Sequence, residues 1–262
     1  MNKLISKLLS IYFLLYESII IHFLRFFDKS PNNEDPLVSI IIATYNRSDI
    51  LINRTIPSVL NQSYSNIELI IIGDKCIDDT PTLLKNYPDK RVVFYDLTER
   101  GRYPKHIKDR WFVQGSVPRN YGMSIAKGDW FVFISDDDIM LEHHIQTLVN
   151  FTKKNNFEFV SASYNAVKDN KLITVHPTPW TKKNILVGGM QTWMYRSFLR
   201  VFKWNRHSWR KIWNRPCDYD LLLRFINAGV KMGSLKEVIS YNPPVEGTDT
   251  SGYEAALKAD KL

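Results

Sequence analysis

Four short runs of large, mostly β-branched residues, each bounded by polar turn residues, recur along the first half of the chain. They are Leu37–Ala43, Ile67–Ile72, Arg91–Tyr95 and Trp130–Ile134. The first run is almost continuously apolar, which is typical of a parallel strand buried on both faces. Segments with helical character, such as residues 49–62 and 119–127, lie between the runs. Strand alternating with helix predicts an α/β fold with a mostly parallel sheet and helices on both of its faces.

Aromatic and acidic residues stand at the ends of these predicted strands. Tyr45 follows the first strand, Asp74 follows the second, and Asp136, Asp137 and Asp138 follow the fourth. The carboxyl ends of parallel strands share one edge of a sheet, and ligands bind just beyond that edge. The sequence therefore predicts a ligand site at this edge.

The three consecutive aspartates place a concentrated negative charge at the end of a buried strand, where it needs compensation. Mg²⁺ and Mn²⁺ prefer oxygen ligands and bridge carboxylates to diphosphate oxygens. A helix N-cap with exposed loop acids is the alternative interpretation, because a helix is predicted from about residue 141. The neighbouring residues favour the metal: Tyr45 can stack on a base, Asp74 can accept from a base N–H, and Arg119 can reach phosphate.

The charge balance calls for an anionic partner, since the net charge is +8 and the isoelectric point is near 9.3. Basic residues gather at positions 90–110 and 196–215, and the second cluster interleaves with Trp204, Trp209 and Trp213. That mixture suits either a lipid headgroup surface or a solvated helix face. Nucleic acid would explain the charge but not the acidic run, so we expect no nucleic acid partner. Residues 97–117 are basic and irregular, which predicts a mobile loop over the site.

The chain has two cysteines, Cys76 and Cys217, that are far apart in sequence. This spacing forms neither a disulfide framework nor a zinc motif. It is typical of a protein in a reducing compartment.

The first 29 residues contain no glycine or proline and are dominated by large apolar side chains. On a helical projection their polar residues fall within an arc of about 140°, which predicts an amphipathic helix. Glu17, His22 and Arg25 interrupt the apolar run and argue against a simple membrane span. We expect this helix to lie in a membrane interface; a tilted span and a helix packed on a partner subunit remain alternatives.

Four motifs, in this order, resemble those of the family 2 glycosyltransferases with the GT-A fold. They are VSIIIATYNR (38–47), IELIIIGDKCIDDT (67–80), PRNYGMSIAKGDWFVFISDDD (118–138) and CDYDLLLR (217–224). The resemblance covers about residues 37 to 230, and the ordered set is more specific than any one motif. It implies an inverting enzyme that uses a nucleotide-diphospho-sugar donor and a divalent metal, Mn²⁺ or Mg²⁺.

The resemblance also implies roles for the residues that match the motifs. The donor-binding positions are Ala43, Tyr45, Arg47, Asp74, Arg119, Asp136 and Asp137. By similarity, Tyr45 packs on the nucleobase, Asp74 hydrogen-bonds it, and Asp136 and Asp138 hold the metal.

The implied catalytic base is Asp218 in the Cys-Asp-Tyr-Asp motif. Cys217 replaces the glutamate that often precedes the base in this family, so Asp220 remains the alternative register. The QxxRW motif of processive members is missing from the C-terminal part of the sequence. We therefore expect the addition of a single sugar.

Together these features predict transfer of one sugar to the hydroxyl of a glycan or lipid-linked acceptor, such as a surface-polysaccharide precursor, at the cytoplasmic face of a membrane. The protein would be peripheral or monotopic, with residues 1–30 as the membrane helix and 31–36 as a linker. Residues 37–140 would form the nucleotide-sugar-binding half and residues 141–262 the acceptor-binding half of one GT-A domain. The alternatives are a membrane-associated, non-catalytic nucleotide-sugar-binding protein and a nucleotidyltransferase. The second is less favoured because Thr44–Arg47 contains no glycine for a phosphate-binding loop.

Overall fold

The structure, a computed structural model, describes residues 3–28, 33–178, 188–211, 213–252 and 255, with side chains of the first helix described from residue 15 onward. Parts of the predicted N-terminal segment, of the linker and of the loop around residues 179–187 lie outside the described residues. The strands are β1 (Val38–Thr44), β2 (Ile67–Gly73), β3 (Val92–Asp96), β4 (Trp130–Ser135), β5 (Ile139–Met140), β6 (Phe159–Lys168), β7 (Lys171–Val175), β8 (Met194–Arg196) and β9 (Met232–Asn242). The α-helices are α1 (Lys3–Phe27), α2 (Ser48–Ile50), α3 (Ile56–Leu60), α4 (Thr80–Leu84), α5 (Ile107–Val113), α6 (Ser116–Ile125), α7 (His144–Asn155) and α8 (Cys217–Asn227).

All described strands belong to one sheet, whose order is β3-β2-β1-β4-β8-β6-β9-β5, with β7 paired to β6. The first four strands in this order are mutually parallel, as predicted. Beyond β4 the sheet is mixed: β8 runs antiparallel to both of its neighbours, whereas β6 and β9 are parallel. The expectation of a mostly parallel sheet was therefore too simple, and the fold is a mixed α/β fold.

The β6–β7 hairpin illustrates why the second half departs from the parallel pattern. Asp169 and Asn170 connect the two strands with φ values of 49° and 59°. Two consecutive left-handed residues make the tight turn that suits the twist of antiparallel strands. Parallel neighbours need a longer crossover, which the helices of the first half supply.

The sheet separates two apolar cores, because alternate residues of each strand point to opposite faces. Ile41 packs with Phe131, Phe133 and residues of α8 on one face. Ile40 and Ile42 pack with residues of α3 and α7 on the other. Each large side chain buried in this way contributes about 1.5–3 kcal/mol relative to its exposed state. The prediction of helices on both faces is confirmed.

The segment from Met190 to Val201 forms strand β8 between two 3₁₀ turns, Met190–Thr192 and Ser197–Val201. Trp193 and Tyr195 enter one core and Met194 enters the other. Side chains of a strand point alternately to its two faces, so this segment can fill both cores only in an extended conformation. Tertiary packing therefore decides its secondary structure, and local helix propensity does not.

The helical segment predicted at residues 49–62 is distorted before Pro57, with a π-helical turn at Leu51–Thr55 between α2 and α3. Proline has no N–H to donate, and Pro57 occupies the first turn of α3, where none is required. The wider turn carries Thr55, whose hydroxyl lies 2.9 Å from the carbonyl oxygen of Asp136 and 3.1 Å from that of Asp138. The turn therefore holds the backbone of the aspartate run.

The predicted N-terminal helix is present as α1, which packs on its own domain by its polar side. Glu17 and Ile21 are buried, and Arg25 forms an ion pair with Glu158 at the start of β6. The opposite side carries exposed apolar residues: Leu15, Ile19, Phe23, Phe26 and Phe27. In the described part of the chain, no helix combines the length and the apolarity needed to cross a bilayer.

Candidate active site

The carboxyl ends of β1, β2 and β4 lie side by side, since Thr44 pairs with Gly73 and Ala43 pairs with Ser135. A cavity of about 290 Å³ opens at this edge. All seven predicted donor-binding residues line it: Ala43, Tyr45, Arg47, Asp74, Arg119, Asp136 and Asp137. Further lining residues were not among the predicted donor-binding positions, and they include Arg100, Tyr103, Arg110 and Gln114. These four belong to the basic stretch 97–117, whose irregular composition was the signal for a loop over the site.

Residues 100–103 of this stretch cover Tyr45 and Asp74. The Arg100 guanidinium lies 3.5 Å from the centroid of the Tyr45 ring. The Gly101 N–H donates to Asp74 Oδ1 at 2.8 Å. Burial and the nearby charge of Asp74 raise the pKa of the Tyr103 phenol. An aromatic ring, a cation above it and a buried carboxylate form a site suited to a flat, hydrogen-bonding ring such as a nucleobase.

The aspartate run is held by side chains from the first strand and the turn that follows it. Thr44 Oγ1 donates to Asp136 Oδ2 at 2.8 Å, and Arg47 Nη1 donates to Asp137 Oδ2 at 2.5 Å. Arg47 also lies 4.0 Å from Asp136. These contacts fix Asp136 and Asp137 at the cavity wall.

The two outer aspartates carry more negative charge than their protein neighbours compensate. Burial, together with the charge of Asp137, raises the pKa of Asp136 to about 6, although Arg47 and Thr44 oppose the rise. The same causes, burial first, raise the pKa of Asp138 well above its usual range. Asp138 is 2% exposed and does not line the cavity; the Asn242 amide, with its nitrogen toward Asp138, donates to Oδ1 at 3.3 Å.

Within the described ranges, no three His, Cys, Asp or Glu side chains converge into a metal site made of protein groups alone. A Mg²⁺ or Mn²⁺ ion that shares its coordination with a diphosphate needs only one or two carboxylates. The donor set of Asp136 and Asp138 consists of hard oxygens with surplus negative charge. Asp136, on the cavity wall, fits such an ion, whereas the buried Asp138 would have to turn toward the cavity to share in the ligation.

Helix α8 presents the two candidate bases in different environments. Asp220 is 1% exposed and accepts from Arg215 Nε at 2.7 Å and from Arg224 Nη1 at 3.5 Å. The Asp218 carboxylate is partly exposed and accepts from the Tyr219 backbone N–H at 2.7 Å. Its lone pairs are therefore more accessible to a ligand than those of Asp220.

Asp218 does not line the cavity but lies within electrostatic reach of its wall. Desolvation raises the pKa of Asp218, and the charge of Arg119, a cavity residue, partly opposes that rise. Burial, followed by the charges of Asp138 and Asp218, raises the pKa of Tyr164 on β6. Asp138 and Asp218 are thus both within electrostatic range of Tyr164, and neither lines the cavity that contains Asp74.

Helix α6 connects the cavity to the segment that leads into α8. The Asn120 side chain donates to the Trp204 carbonyl at 2.9 Å and accepts from the Trp204 N–H at 2.8 Å. The Arg119 guanidinium lies 5.1 Å from the Trp204 ring. Trp204 is buried against Phe133 and Trp193, so it lies neither on a lipid headgroup surface nor on a solvated helix face, the two alternatives for its cluster.

The family model for glycosyl transferase family 2 matches residues 39–212, about two thirds of the chain. The chain belongs to glycosyltransferase family 2. The matched range includes every residue that lines the cavity and ends before the CDYDLLLR motif at 217–224.

Several relatives of this glycosyltransferase have named activities. The chain is 32% identical over 143 residues to the Escherichia coli UDP-Glc:alpha-D-GlcNAc-diphosphoundecaprenol beta-1,3-glucosyltransferase WfaP, which covers 55% of this chain and 52% of the relative. It is 26% identical over 175 residues to the E. coli enzyme WfgD of the same description, with 64% of each chain covered. It is 35% identical over 131 residues to the Staphylococcus aureus poly(ribitol-phosphate) beta-N-acetylglucosaminyltransferase TarP, with 48% and 36% covered. The matched part therefore spans less than two thirds of each relative.

Two solved structures show the same fold as this glycosyltransferase. S. aureus TarS 1–349 in complex with UDP-GlcNAc has a TM-score of 0.58 at 15% identity, covering 81% of this chain and 60% of that one. The mannosyltransferase PcManGT from Pyrobaculum calidifontis, in complex with GDP-Man and Mn²⁺, has a TM-score of 0.59 at 14% identity, covering 84% and 60%. The GT-A type fold expected from the motifs is confirmed.

Both cysteines of this glycosyltransferase are free and buried. Burial raises the pKa of Cys76 to about 11 and that of Cys217 to about 12. Thiols that stay protonated at neutral pH are poor nucleophiles. Their chemistry agrees with a mechanism that uses carboxylates instead.

Proposed function

We propose that this glycosyltransferase moves one sugar from a nucleotide-diphospho-sugar to an acceptor hydroxyl in a single displacement that inverts the anomeric carbon. The observation that carries the proposal is the convergence of seven residues from four separate segments on one cavity. The cavity combines an aromatic ring, cations and carboxylates, which match a base, a diphosphate and a metal.

The donor is bound along the edge of the parallel strands. Tyr45 and Arg100 hold the nucleobase between a ring and a guanidinium after the guanidinium, which lies 3.5 Å from the Tyr45 centroid, withdraws to admit the base. Asp74 accepts a hydrogen bond from a base N–H. Arg47 and Arg119 lie on the cavity wall, where a guanidinium can form paired hydrogen bonds with diphosphate oxygens. Ala43 is the penultimate residue of β1, and its small side chain at the cavity wall leaves room for the donor.

Asp136 and Asp138 would hold a divalent cation, Mn²⁺ or Mg²⁺, together with the donor diphosphate. A bound cation of this kind offsets the negative charge that develops on the leaving diphosphate. The uncompensated charge of the two aspartates supports this role. The Mn²⁺ and GDP-Man in the PcManGT structure support it independently.

Asp218 acts as the base. It takes the proton from the acceptor hydroxyl while that oxygen forms a bond to the anomeric carbon, and the bond from that carbon to the diphosphate oxygen breaks on the opposite face. The raised pKa of Asp218 favours proton acceptance. Asp220 is unsuited to this task because Arg215 and Arg224 occupy its oxygens.

The acceptor is a lipid-linked glycan precursor at the cytoplasmic face of a membrane, to which the protein binds through residues 1–30. Two relatives are described as acting on GlcNAc-diphosphoundecaprenol, which supports a lipid-linked acceptor. The exposed apolar side of α1 supports a peripheral membrane contact, since its apolar residues otherwise face water. Residues 37–140 would bind the donor and residues 141–262 the acceptor.

The decisive experiment is a screen of nucleotide-sugars with Mn²⁺, in which thermal stabilisation identifies the donor and NMR of the transferred sugar gives its anomeric configuration. We expect one nucleotide-sugar to stabilise the protein and the product to have inverted configuration. Retention of configuration would exclude the single displacement. Donor binding without transfer to any lipid-linked acceptor would favour the non-catalytic alternative.

A further inference from the structure

A basic loop, residues 205–215, lies between the 3₁₀ turn Ser197–Val201 and helix α8. Both of these flanking elements pack against α1. The loop is closed on itself, because the Arg215 N–H donates to the Ser208 carbonyl at 3.1 Å and the Trp213 N–H donates to the Arg210 carbonyl at 2.8 Å. The loop therefore leaves and rejoins the domain beside the N-terminal helix.

Three cations of the basic loop, Arg206, Arg210 and Lys211, are not compensated by carboxylates of the described residues. Throughout the part of the chain that the structure describes, no Asp or Glu lies within ion-pair distance of Arg206, Arg210 or Lys211. Arg206 Nε instead lies 3.3 Å from His207 Nε2, and Arg210 lies 5.9 Å from the Trp209 ring. Arg215, in contrast, is paired with Asp220 and holds the loop to α8.

The side chains of the basic loop are accessible to a partner. Arg206 and Lys211 are exposed, and Trp209 and Trp213 are partly exposed. Indole rings beside arginine and lysine are typical of the zone where a membrane meets water. Cations at such a surface are attracted to anionic phosphate headgroups.

We propose that the basic loop binds the phosphate groups of anionic lipids and, with the outward side of α1, forms one continuous membrane-docking surface. The proposal rests on the membrane contact of α1 proposed above. The exposed Phe23 and Phe26 belong to α1, and in the chain the loop cations lie between the two elements that pack on α1. A bilayer is favoured over nucleic acid because one partner with both apolar and anionic parts would suit both. Nucleic acid would satisfy the cations and leave the apolar side in water.

This surface lies next to the first turn of α8, where Asp218 is found. A membrane bound there would present the headgroup of a lipid-linked acceptor close to the proposed base. The loop would thus orient the enzyme on the membrane as well as attach it.

The test is co-sedimentation of the full chain with vesicles of phosphatidylcholine alone and with vesicles that also contain phosphatidylglycerol. The variant Arg206→Gln/Arg210→Gln/Lys211→Gln removes three cations of the loop. We expect its affinity for phosphatidylglycerol vesicles to fall on the order of 100-fold at moderate salt, with little change for phosphatidylcholine. The matched control, Lys85→Gln/Lys90→Gln/Lys171→Gln, removes the same charge from other exposed positions and should bind like the wild type.

A variant of α1 distinguishes binding through apolar contact from binding through the cations of the loop. Phe23→Ser/Phe26→Ser should weaken binding to both kinds of vesicle, because it removes apolar contact. If that variant loses binding while the loop variant binds phosphatidylglycerol like the wild type, α1 alone docks the protein and the loop proposal is wrong. Equal losses of phosphatidylglycerol binding in the loop variant and in the lysine control would also overturn the proposal. So would the finding that the wild-type protein binds a DNA duplex and does not bind phosphatidylglycerol vesicles.

Two further measurements distinguish a loss of lipid binding from misfolding of the triple variant and from failure of the transfer reaction. Single variants at the exposed Arg206 and Lys211 should each weaken phosphatidylglycerol binding in part, and a lack of effect in both would contradict the proposal. Transfer to a water-soluble acceptor by the loop variant should remain within about twofold of the wild type. Failure of transfer in the wild type itself would count against the proposed function and not against lipid binding.

Discussion

Glu17 and Arg224, 207 positions apart in the chain, form an ion pair that is almost completely buried between α1 and α8. Arg224 also approaches Asp220, and Asp220 is paired with Arg215, so the four charges alternate in sign. Helix α1 is thereby part of the domain that contains the proposed base, and not a separable anchor.

Substitution of Glu17 by Gln should destabilise the fold by about 2–3 kcal/mol, because the buried Arg224 loses its main partner and retains Asp220. Urea unfolding followed by tryptophan fluorescence would measure the change. The double variant Glu17→Met/Arg224→Met should lose less than the sum of its single variants, since it removes both charges together. Strict additivity of the two single effects would show that the pair does not couple the helices.

Substitution of Asp218 by Asn should reduce transfer on the order of 10³-fold and leave donor affinity within about twofold, because the amide cannot accept the proton. Donor affinity can be measured by calorimetry and transfer by product chromatography. The matched variant Asp220→Asn should mainly lower thermal stability, since Asp220 is bonded to Arg215. Full transfer by the Asp218 variant would exclude this residue as the base.

The loss of transfer activity at low pH should follow the protonation of Asp218. Desolvation raises the pKa of this carboxyl, and only its ionised form can accept a proton. As the pH falls, transfer should therefore begin to fail above the ordinary carboxylate pKa of about 3.9. The pH dependence of kcat/KM for the acceptor, at saturating donor and metal, is the measurement, and a profile that stays flat down to that value would contradict the assignment.

Metal-dependent donor binding should require both outer aspartates. Asp136→Asn and Asp138→Asn should each weaken Mn²⁺-dependent donor binding at least 10-fold, and a chelator should abolish it in the wild type. Because the pKa of Asp136 is raised to about 6, protons should compete with the ion as the pH falls through that value. Calorimetric Mn²⁺ titrations across this range would reveal the competition, and metal affinity that is independent of pH would contradict it.

Substitution of Arg100 by Ala should weaken donor binding by about 3- to 30-fold, the usual contribution of a cation over an aromatic ring. Arg102 lies in the same loop, is exposed and does not line the cavity, so Arg102→Ala is the matched control. Equal effects of the two substitutions would indicate a general role of charge in the loop and no specific contact with the base.

The strands and their ends could be predicted from sequence because a continuous apolar run followed by a polar turn is a local signal. Tyr45, Asp74 and Asp136 were placed correctly at one edge by that signal and by the motif order. Arg100 could not be assigned, because its position over Tyr45 depends on a loop whose path is fixed by the Gly101 contact with Asp74. A backbone hydrogen bond of this kind leaves no trace in composition or periodicity.

Helix α1 shows a second limit of sequence reasoning. Its periodicity predicted an amphipathic helix, and the structure confirms the helix. The side that faces the protein is the polar one, because Glu17 and Arg25 find partners 207 and 133 positions away in the chain. Local patterning carries no information about such distant partners.

Strand β4 pairs in parallel with β1 on one side and antiparallel with β8 on the other, and the three aspartates are the whole connection from β4 to β5. A connection of three residues allows little relative movement of β4 and β5, so a donor bound to it would fix the spacing of these two strands. New acceptor preferences should therefore be easier to engineer by exchanging loops at the rim than by repacking the sheet, where any displacement would be transmitted directly to the bound diphosphate.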